Sequence, residues 1–193
     1  GEGPNDGFGP LEIYSSHIYV RPNGDTTGTV TLPLETVFRR TTPVDVADNM
    51  NLTISGYLEI GYQGDAVGFT KTGAGDFTLT PSSYNNTINF VASTVSAGRM
   101  IMTSMPMFPS VVIEDGATFT LKDTEWTSGN VFSGTGILEL YSATVSKTHT
   151  ITGSTFGGTL KLSNVPVPGS NPPTWQNNIN PSGSAMFDSS VRP

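Results

Sequence analysis

The chain has 193 residues, of which only 13% are charged, and its acidic side chains outnumber Lys and Arg to give a net charge of −7. This charge repels nucleic acid and anionic lipid, so we expect neither as a partner. No cysteine is present, which excludes disulfides, thiolate metal sites and a cysteine nucleophile, and no apolar run approaches the ~18 residues that a membrane-spanning helix needs.

The N-terminal part of the chain is predicted to form strands that close one end of a larger β structure. Strand-like patterns run over 11–20 and 28–34, with a turn at 21–25 between them, and a link without periodicity follows at 39–49. A stack of repeated β units must cover its open end. Residues 1–50 are therefore interpreted as N-terminal strands and a cap.

A repeat of about twenty residues dominates the middle of the chain. In each copy a glycine is followed by two apolar residues at alternating positions, as expected for a strand with one buried face, and the match at Gly116 contains one extra residue. The first apolar residues of the matches are Leu11, Val30, Leu58, Phe77, Met100, Phe119, Leu138 and Leu160, and four of the seven spacings are 19 residues. Residues 51–163 are therefore predicted to form a solenoid body.

Stacking of these units predicts which side chains lie inside. One interior column should contain Leu58, Phe77, Met100, Phe119, Leu138 and Leu160, and a second should follow two residues later in each match. The residue between each pair faces outward, at Glu59, Thr78, Ile101, Thr120, Glu139 and Lys161, and Glu139 is expected to pair with Lys161 across neighbouring strands. Another wall is predicted from Val67, Phe69, Ile88, Phe90, Val111, Ile113, Val131 and Ile151.

The stretch 70–102 carries a family resemblance. Its first half contains Lys71, Gly73, Gly75, Phe77 and Leu79, and its second half contains Tyr84, Asn85, Thr94, Val95, Ala97, Gly98, Met100 and Met102. This pattern resembles the repeat of bacterial autotransporter passenger regions, although Asp76 and Arg99 stand where that family usually has threonine. The resemblance implies a right-handed β-helix exposed outside the cell, and it implies no catalytic residues.

Two all-β folds are compatible with the repeat. The first is a right-handed β-solenoid, or β-helix, with capped ends, and the resemblance favours it. The alternative is an antiparallel β-sandwich or jelly roll, in which a strand-turn-strand unit also recurs about every twenty residues.

The C-terminal residues 164–193 are rich in Pro and Asn and are predicted to form a tail or docking arm. Prolines remove backbone donors and favour extended, non-sheet conformations. The segment contains a lone tryptophan next to alternating Val and Pro residues. We interpret Val165, Pro166, Val167, Pro168 and Trp175 as a self-association contact.

Catalytic motifs are missing from the sequence. His17 and His149 are far apart, and no nucleophile elbow, phosphate-binding loop or zinc-ligand spacing accompanies them. We predict no catalytic residue, no metal site and no cofactor, and therefore no enzyme. The one alternative rests on the acids Glu114, Asp115, Asp123 and Glu125, because a glycosidase needs two carboxyl groups ~5 to 9 Å apart.

Three aromatic residues are candidates for contact with a glycan. Tyr57, Trp126 and Tyr141 are expected at outward or corner positions of the solenoid, where a flat apolar ring can stack on a sugar. The same residues also suit the edge of a core, so the pattern does not separate binding from packing.

The sequence thus predicts a non-enzymatic structural or adhesive protein, located extracellularly, on the cell surface or on a virion. We expect it to self-associate into a homo-oligomer or polymer, with a glycan or a cell surface as a further partner. Two alternatives stay open: a viral coat or decoration protein with a jelly-roll fold, and a tailspike-like polysaccharide binder or hydrolase.

Overall fold

The computed structural model describes residues 10–14, 17–24, 26–61, 66–84, 91–104, 110–122, 131–141, 150–151, 156–163, 176–177 and 184–187. Every regular element in these ranges is a β-strand. In chain order the strands are β1 (Leu11–Ile13), β2 (Ile18–Val20), β3 (Gly28–Leu32), β4 (Thr36–Phe38), β5 (Thr42–Val46), β6 (Met50–Ile54), β7 (Tyr57–Ile60), β8 (Phe69–Thr72), β9 (Asp76–Leu79), β10 (Ser83–Tyr84), β11 (Ser93–Val95), β12 (Arg99–Thr103), β13 (Ser110–Ile113), β14 (Thr118–Lys122), β15 (Val131–Gly134), β16 (Ile137–Tyr141), β17 (Thr150–Ile151), β18 (Thr159–Ser163), β19 (Gln176–Asn177) and β20 (Ser184–Phe187).

The strands form three long parallel sheets that surround one apolar core. A four-stranded sheet has the order β1-β4-β7-β10, and a six-stranded sheet has the order β15-β13-β11-β8-β5-β2. The eight-stranded sheet runs β20-β18-β16-β14-β12-β9-β6-β3, and β17 pairs with β19 in a small separate sheet. Successive strands of the chain belong to different sheets, and when the chain returns to a sheet it adds the next strand beside the previous one, as with β3, β6, β9 and β12. The predicted β-solenoid is therefore confirmed, and parallel pairing throughout the described strands leaves no role for the sandwich or jelly roll.

The register of the eight-stranded sheet confirms most of the predicted interior column. Phe77, Met100, Phe119, Leu138 and Leu160 lie side by side on neighbouring strands, and all are buried. Burial of such side chains is worth ~1.5 to 3 kcal/mol each and is the main source of stability in a cysteine-free solenoid.

Leu58 was wrongly placed in that column. It lies on β7 in the four-stranded sheet, opposite Thr36 and Tyr84, and Leu52 on β6 occupies the position beside Phe77. Glu59 therefore leaves the predicted outward series as well and lies opposite Val37. The error arises because one turn contains two pairs of alternating apolar residues, one beginning at Leu52 and one at Leu58. Alternation alone does not tell which sheet each pair joins.

The six-stranded sheet supplies part of the second predicted wall, whereas Ile151 lies on β17 in the small separate sheet. Phe69, Val111 and Ile113 are fully buried as expected. Val131, however, is 39% exposed, because Val111 lies opposite Phe132 and the register turns Phe132 inward instead. Of the other predicted members, Ile88 and Phe90 lie outside the described residues.

The outward series of the eight-stranded sheet contains the predicted ion pair. Lys161 Nζ lies 2.9 Å from Glu139 Oε1, which confirms the expected cross-strand pairing. Thr120 Oγ1 also donates to Glu139 Oε2 at 2.9 Å, and the side chains of both residues are buried. The carboxylate thus joins three neighbouring strands on this face.

Aromatic rings connect the walls across the interior. Phe69 packs edge-to-face against Phe38 of the four-stranded sheet at 4.9 Å and against Phe77 of the eight-stranded sheet at 5.4 Å. Such edge-to-face pairs add to the burial energy. One contiguous core therefore holds the three sheets together.

The strands of the N-terminal part, and β20 near the C-terminus, belong to the three long sheets. β1 to β5 pair in parallel with later strands, and β5 lies in the stretch 39–49 that was predicted to lack periodicity. Val44 and Val46 of β5 are fully buried, so this stretch forms a wall of the core rather than a link. Within 164–193, β20 extends the eight-stranded sheet by pairing with β18.

Candidate interaction site

The first turn of the solenoid, formed by β1, β2 and β3, exposes an unusual amount of apolar side chain. These strands are the terminal members of the three long sheets, so among the described residues each pairs along one edge only. Five of the six large hydrophobic side chains found exposed in the described part belong to this turn or its connections: Leu11, Tyr14, Tyr19, Val30 and Leu34. These five side chains and the outer edges of β1, β2 and β3 are called the first-turn surface below.

Val30 shows most directly that an interior position is exposed in this turn. It lies beside Leu52 in the interior column of the eight-stranded sheet, where Leu52 is 0% exposed. Val30 itself is 40% exposed because no further strand lies beyond β3 in the described part of the sheet. Leaving apolar surface in water costs ~25 cal/mol per Å², which favours a covering partner.

Tyr19 is the centre of one polar cluster on this surface. His17 stacks on its ring at 5.4 Å, and the Arg21 guanidinium lies 5.4 Å from the same ring. Arg21 also donates to both carboxylate oxygens of Asp45, at 3.1 and 2.8 Å, and this pairing lowers the pKa of Asp45. The cluster ties β2 of the first turn to β5 of the second.

Tyr14 is the centre of a second cluster with the same components. Its hydroxyl donates to Glu12, and the Arg39 guanidinium lies 5.9 Å from its ring. Arg39 donates to Glu12 at 3.0 Å, and the hydrogen bonds from Tyr14 and Arg39 together lower the pKa of Glu12. The acidic and basic groups described here on the first turn are therefore paired with groups of opposite charge.

The sequence contained a signal for these clusters that the prediction did not use. His17, Tyr19 and Arg21 alternate along the strand pattern and hence share its outward face. Leu11 and Val30 fit the apolar template, but the template does not distinguish them from members that a neighbouring strand covers on both sides.

Lys71 is a buried cation on β8, just before the turn that leads to β9. Its side chain is 0% exposed, and its Nζ donates to three backbone carbonyls, those of Thr72 at 2.8 Å, Gly73 at 2.7 Å and Ala97 at 3.2 Å. Burial lowers the pKa of Lys71 to about 8, while Asp76 and Asp45 act in the opposite direction. The ammonium group thus joins two successive turns of the backbone.

Asp76 and Arg99, the two departures from the resembling repeat, compensate one another. They are register partners on β9 and β12, and Arg99 Nη2 lies 2.5 Å from Asp76 Oδ2. Because both side chains are partly exposed, the pair is expected to contribute only ~0.2 to 1 kcal/mol.

A double-mutant cycle tests this compensation. Asp76→Thr and Arg99→Thr are each expected to lower the free energy of unfolding by up to ~1 kcal/mol, because each leaves a charge without its partner. The double variant should lose less than the two single losses combined, since a threonine pair suits neighbouring strands. Urea unfolding followed by circular dichroism measures all four proteins, and strict additivity would show that the pair is not coupled.

Two of the three residues predicted to contact a glycan lie on strands of different sheets. Tyr57 begins β7 in the four-stranded sheet, where it is half-buried and lies opposite Ser83, and burial raises its pKa. Tyr141 ends β16 in the eight-stranded sheet, opposite Lys122. Trp126 lies outside the described residues. The predicted self-association contact, Val165, Pro166, Val167, Pro168 and Trp175, also lies outside them.

The acids considered for glycoside hydrolysis are only partly described. Glu114 and Asp115 are exposed in the turn before β14, and Asp123 and Glu125 lie outside the described residues. In the described ranges, no three His, Cys, Asp or Glu side chains gather as a metal-binding group, and no helix long and apolar enough to cross a membrane is found. Searches against protein-family models, curated proteins and solved structures found no match to the chain.

Proposed function

We propose that the protein is a non-enzymatic structural element that self-associates into a larger assembly outside the cell or on a virion surface. The observation that carries this proposal is the first-turn surface, where an interior column ends in exposed Val30 and the outer strand edges lack described partners. An open, apolar strand edge is a template for pairing with another chain.

The rest of the solenoid suits a mechanical role. Its three parallel ladders run through one contiguous core, so each turn is supported by its neighbours on either side. Side-chain links such as the Lys71 contacts and the Asp76–Arg99 pair join successive turns in the stretch that resembles autotransporter passenger repeats. That resemblance supports an extracellular location, with a glycan or a cell surface as a further partner.

A second contact is needed if pairing at one end is to build an assembly larger than a dimer. The segment Val165–Pro168 with Trp175 is proposed for this role, because its apolar and proline-rich composition suits docking on a neighbouring copy. The first-turn surface and this segment would then act as two separate contacts on each chain.

Sedimentation velocity over a range of protein concentrations tests the proposal, together with negative-stain images. We expect species larger than the 20.4 kDa chain whose fraction rises with concentration, and elongated particles in the images. A chain that remains monomeric at every concentration would contradict it. Labelling of intact cells or particles by an antibody against the folded protein tests the location.

A further inference from the structure

The geometry points to a specific partner for the first-turn surface: the same surface of a second copy, related by a twofold axis, with the two β3 strands paired antiparallel about Val30. This inference rests on the proposed self-association and states which end of the chain makes the contact and in which orientation.

The residues of β3 itself carry no charge and no proline, two of the features by which edge strands usually avoid pairing. Its sequence, Gly28-Thr29-Val30-Thr31-Leu32, contains no charged residue and no proline, and its three central side chains are exposed. Natural edge strands are commonly protected by lysine, proline, bulges or an overlying loop. The outer edge of β3 therefore offers backbone donors and acceptors together with apolar surface.

The same strand is self-complementary. In an antiparallel pair centred on Val30, Val30 lies opposite Val30 of the second copy, and Thr29 lies opposite Thr31 of the second copy. In this arrangement valine meets valine on the inner face, where it continues the interior column. Threonine meets threonine on the outer face. A twofold contact requires this kind of match between a surface and itself.

The remaining two strands are compatible with the same axis. A twofold axis through the middle of β3 exchanges the four- and six-stranded sheets, so β1 meets β2 of the second copy. Both strands have three residues, and antiparallel pairing brings Leu11 and Ile13 opposite Val20 and Ile18 of the second copy, all on the inner face.

Charge favours this arrangement over a random collision of two acidic chains. The net charge of −7 makes copies repel one another in general, whereas β3 is uncharged. On the neighbouring strands the twofold axis brings Glu12 opposite Tyr19 of the second copy, and the charges of Glu12 and Arg21 are already balanced within each copy by Arg39 and Asp45. Pairing through β3 therefore adds no like-charge repulsion between the two strands.

A single cysteine tests the geometry directly, because the chain contains no cysteine of its own. Opposed residues of an antiparallel pair have Cα atoms about 4.5 to 5.5 Å apart, within the range that a disulfide spans. Under mild oxidation, we expect most molecules of the Val30→Cys variant to form disulfide-linked dimers. Val131→Cys is the matched control, since Val131 is also a strand valine with nearly equal exposure, 39% against 40%, and it should remain largely monomeric.

A second pair of variants separates failure of the geometry from failure of the proposed function. Val30→Lys is expected to shift the sedimentation profile to smaller species and Val131→Lys to leave it unchanged, with circular dichroism confirming that both fold. If Val30→Lys disrupts assembly but Val30→Cys forms no disulfide, the contact is head-to-tail and the twofold pairing is wrong. If assembly persists unchanged in Val30→Lys, the first turn is not the contact, although self-association itself stands.

Discussion

Gly136→Ala is expected to lower the free energy of unfolding by about 3 kcal/mol or more, because a methyl group at this position would overlap backbone atoms of the neighbouring turn. A Cβ added to Gly136 would lie 2.3 Å from Glu114 O and 2.7 Å from Ala117 O, and both atoms belong to the backbone of the turn below. Relieving the overlap requires neighbouring turns to separate, which weakens the ladder bond from Thr159 N to Gly136 O as well.

Gly116→Ala is the comparison that makes the effect specific. Gly116 has a positive φ of 75°, but a Cβ there meets nothing within 4 Å, so the cost is conformational strain alone, about 1 to 2 kcal/mol. Urea unfolding of both variants measures the difference. Equal losses would show that close approach of the turns is not the reason for glycine at position 136.

The same contact explains why the sequence repeat begins with glycine. A Cβ on Gly98 would lie 2.5 Å from Gly75 O, and one on Gly158 would lie 2.1 Å from Gly136 O, so the glycines approach one another from turn to turn. Ala117 occupies the corresponding place in one turn, where a hydrogen bond from Ala117 N to Glu114 O closes a longer loop. This is the extra residue that made the match at Gly116 irregular.

The β-solenoid was predictable because its requirements are local and repeated. Close backbone approach demands glycine and an inward face demands alternation, so Gly98, Met100 and Met102 reveal a strand in the right register without knowledge of its neighbours. The placement of Leu58 was not predictable in this way. It depends on which of three walls a strand joins, and that follows from the lengths of the corners rather than from the strand pattern.

The candidate site was less accessible to sequence reasoning for a related reason. Val30 has the same pattern as the buried column members, and it is exposed on β3, the last strand in the described order of the eight-stranded sheet. Lys71 is a similar case, since a lysine in a polar stretch suggests an exposed side chain. Its burial follows from the left-handed turn at Gly73, which directs backbone carbonyls toward the interior ammonium group.

Lys71→Met is the second substitution with a large expected effect, about 1 to 3 kcal/mol lower stability at pH 7. The change leaves three backbone carbonyls without the donor that joins them, and each unpaired buried acceptor is costly. Relief of the charge's own desolvation offsets part of this loss. Methionine keeps the length and the apolar stem, so lost packing contributes little.

The pH dependence distinguishes a buried cation from an ordinary packing residue. Between pH 8 and 10 the lysine is still protonated in the unfolded chain, whereas its folded pKa of about 8 makes it neutral in the native state. The unfolded state therefore binds more protons, and the contribution of Lys71 to stability rises with pH by about 2 kcal/mol over this interval. The desolvation penalty is fully present below pH 8 and disappears as pH increases.

The measurement is the difference in unfolding free energy between the wild type and Lys71→Met at several pH values. Taking the difference removes the contribution of tyrosines, since the raised pKa values of Tyr14 and Tyr57 affect both proteins near pH 10. Lys122→Met, which removes an exposed lysine of the eight-stranded sheet, is the matched control. If this difference in unfolding free energy stays constant from pH 8 to 10, the three carbonyls stabilise the ammonium group enough to keep its pKa at the ordinary value. Burial of Lys71 would then carry no net desolvation penalty.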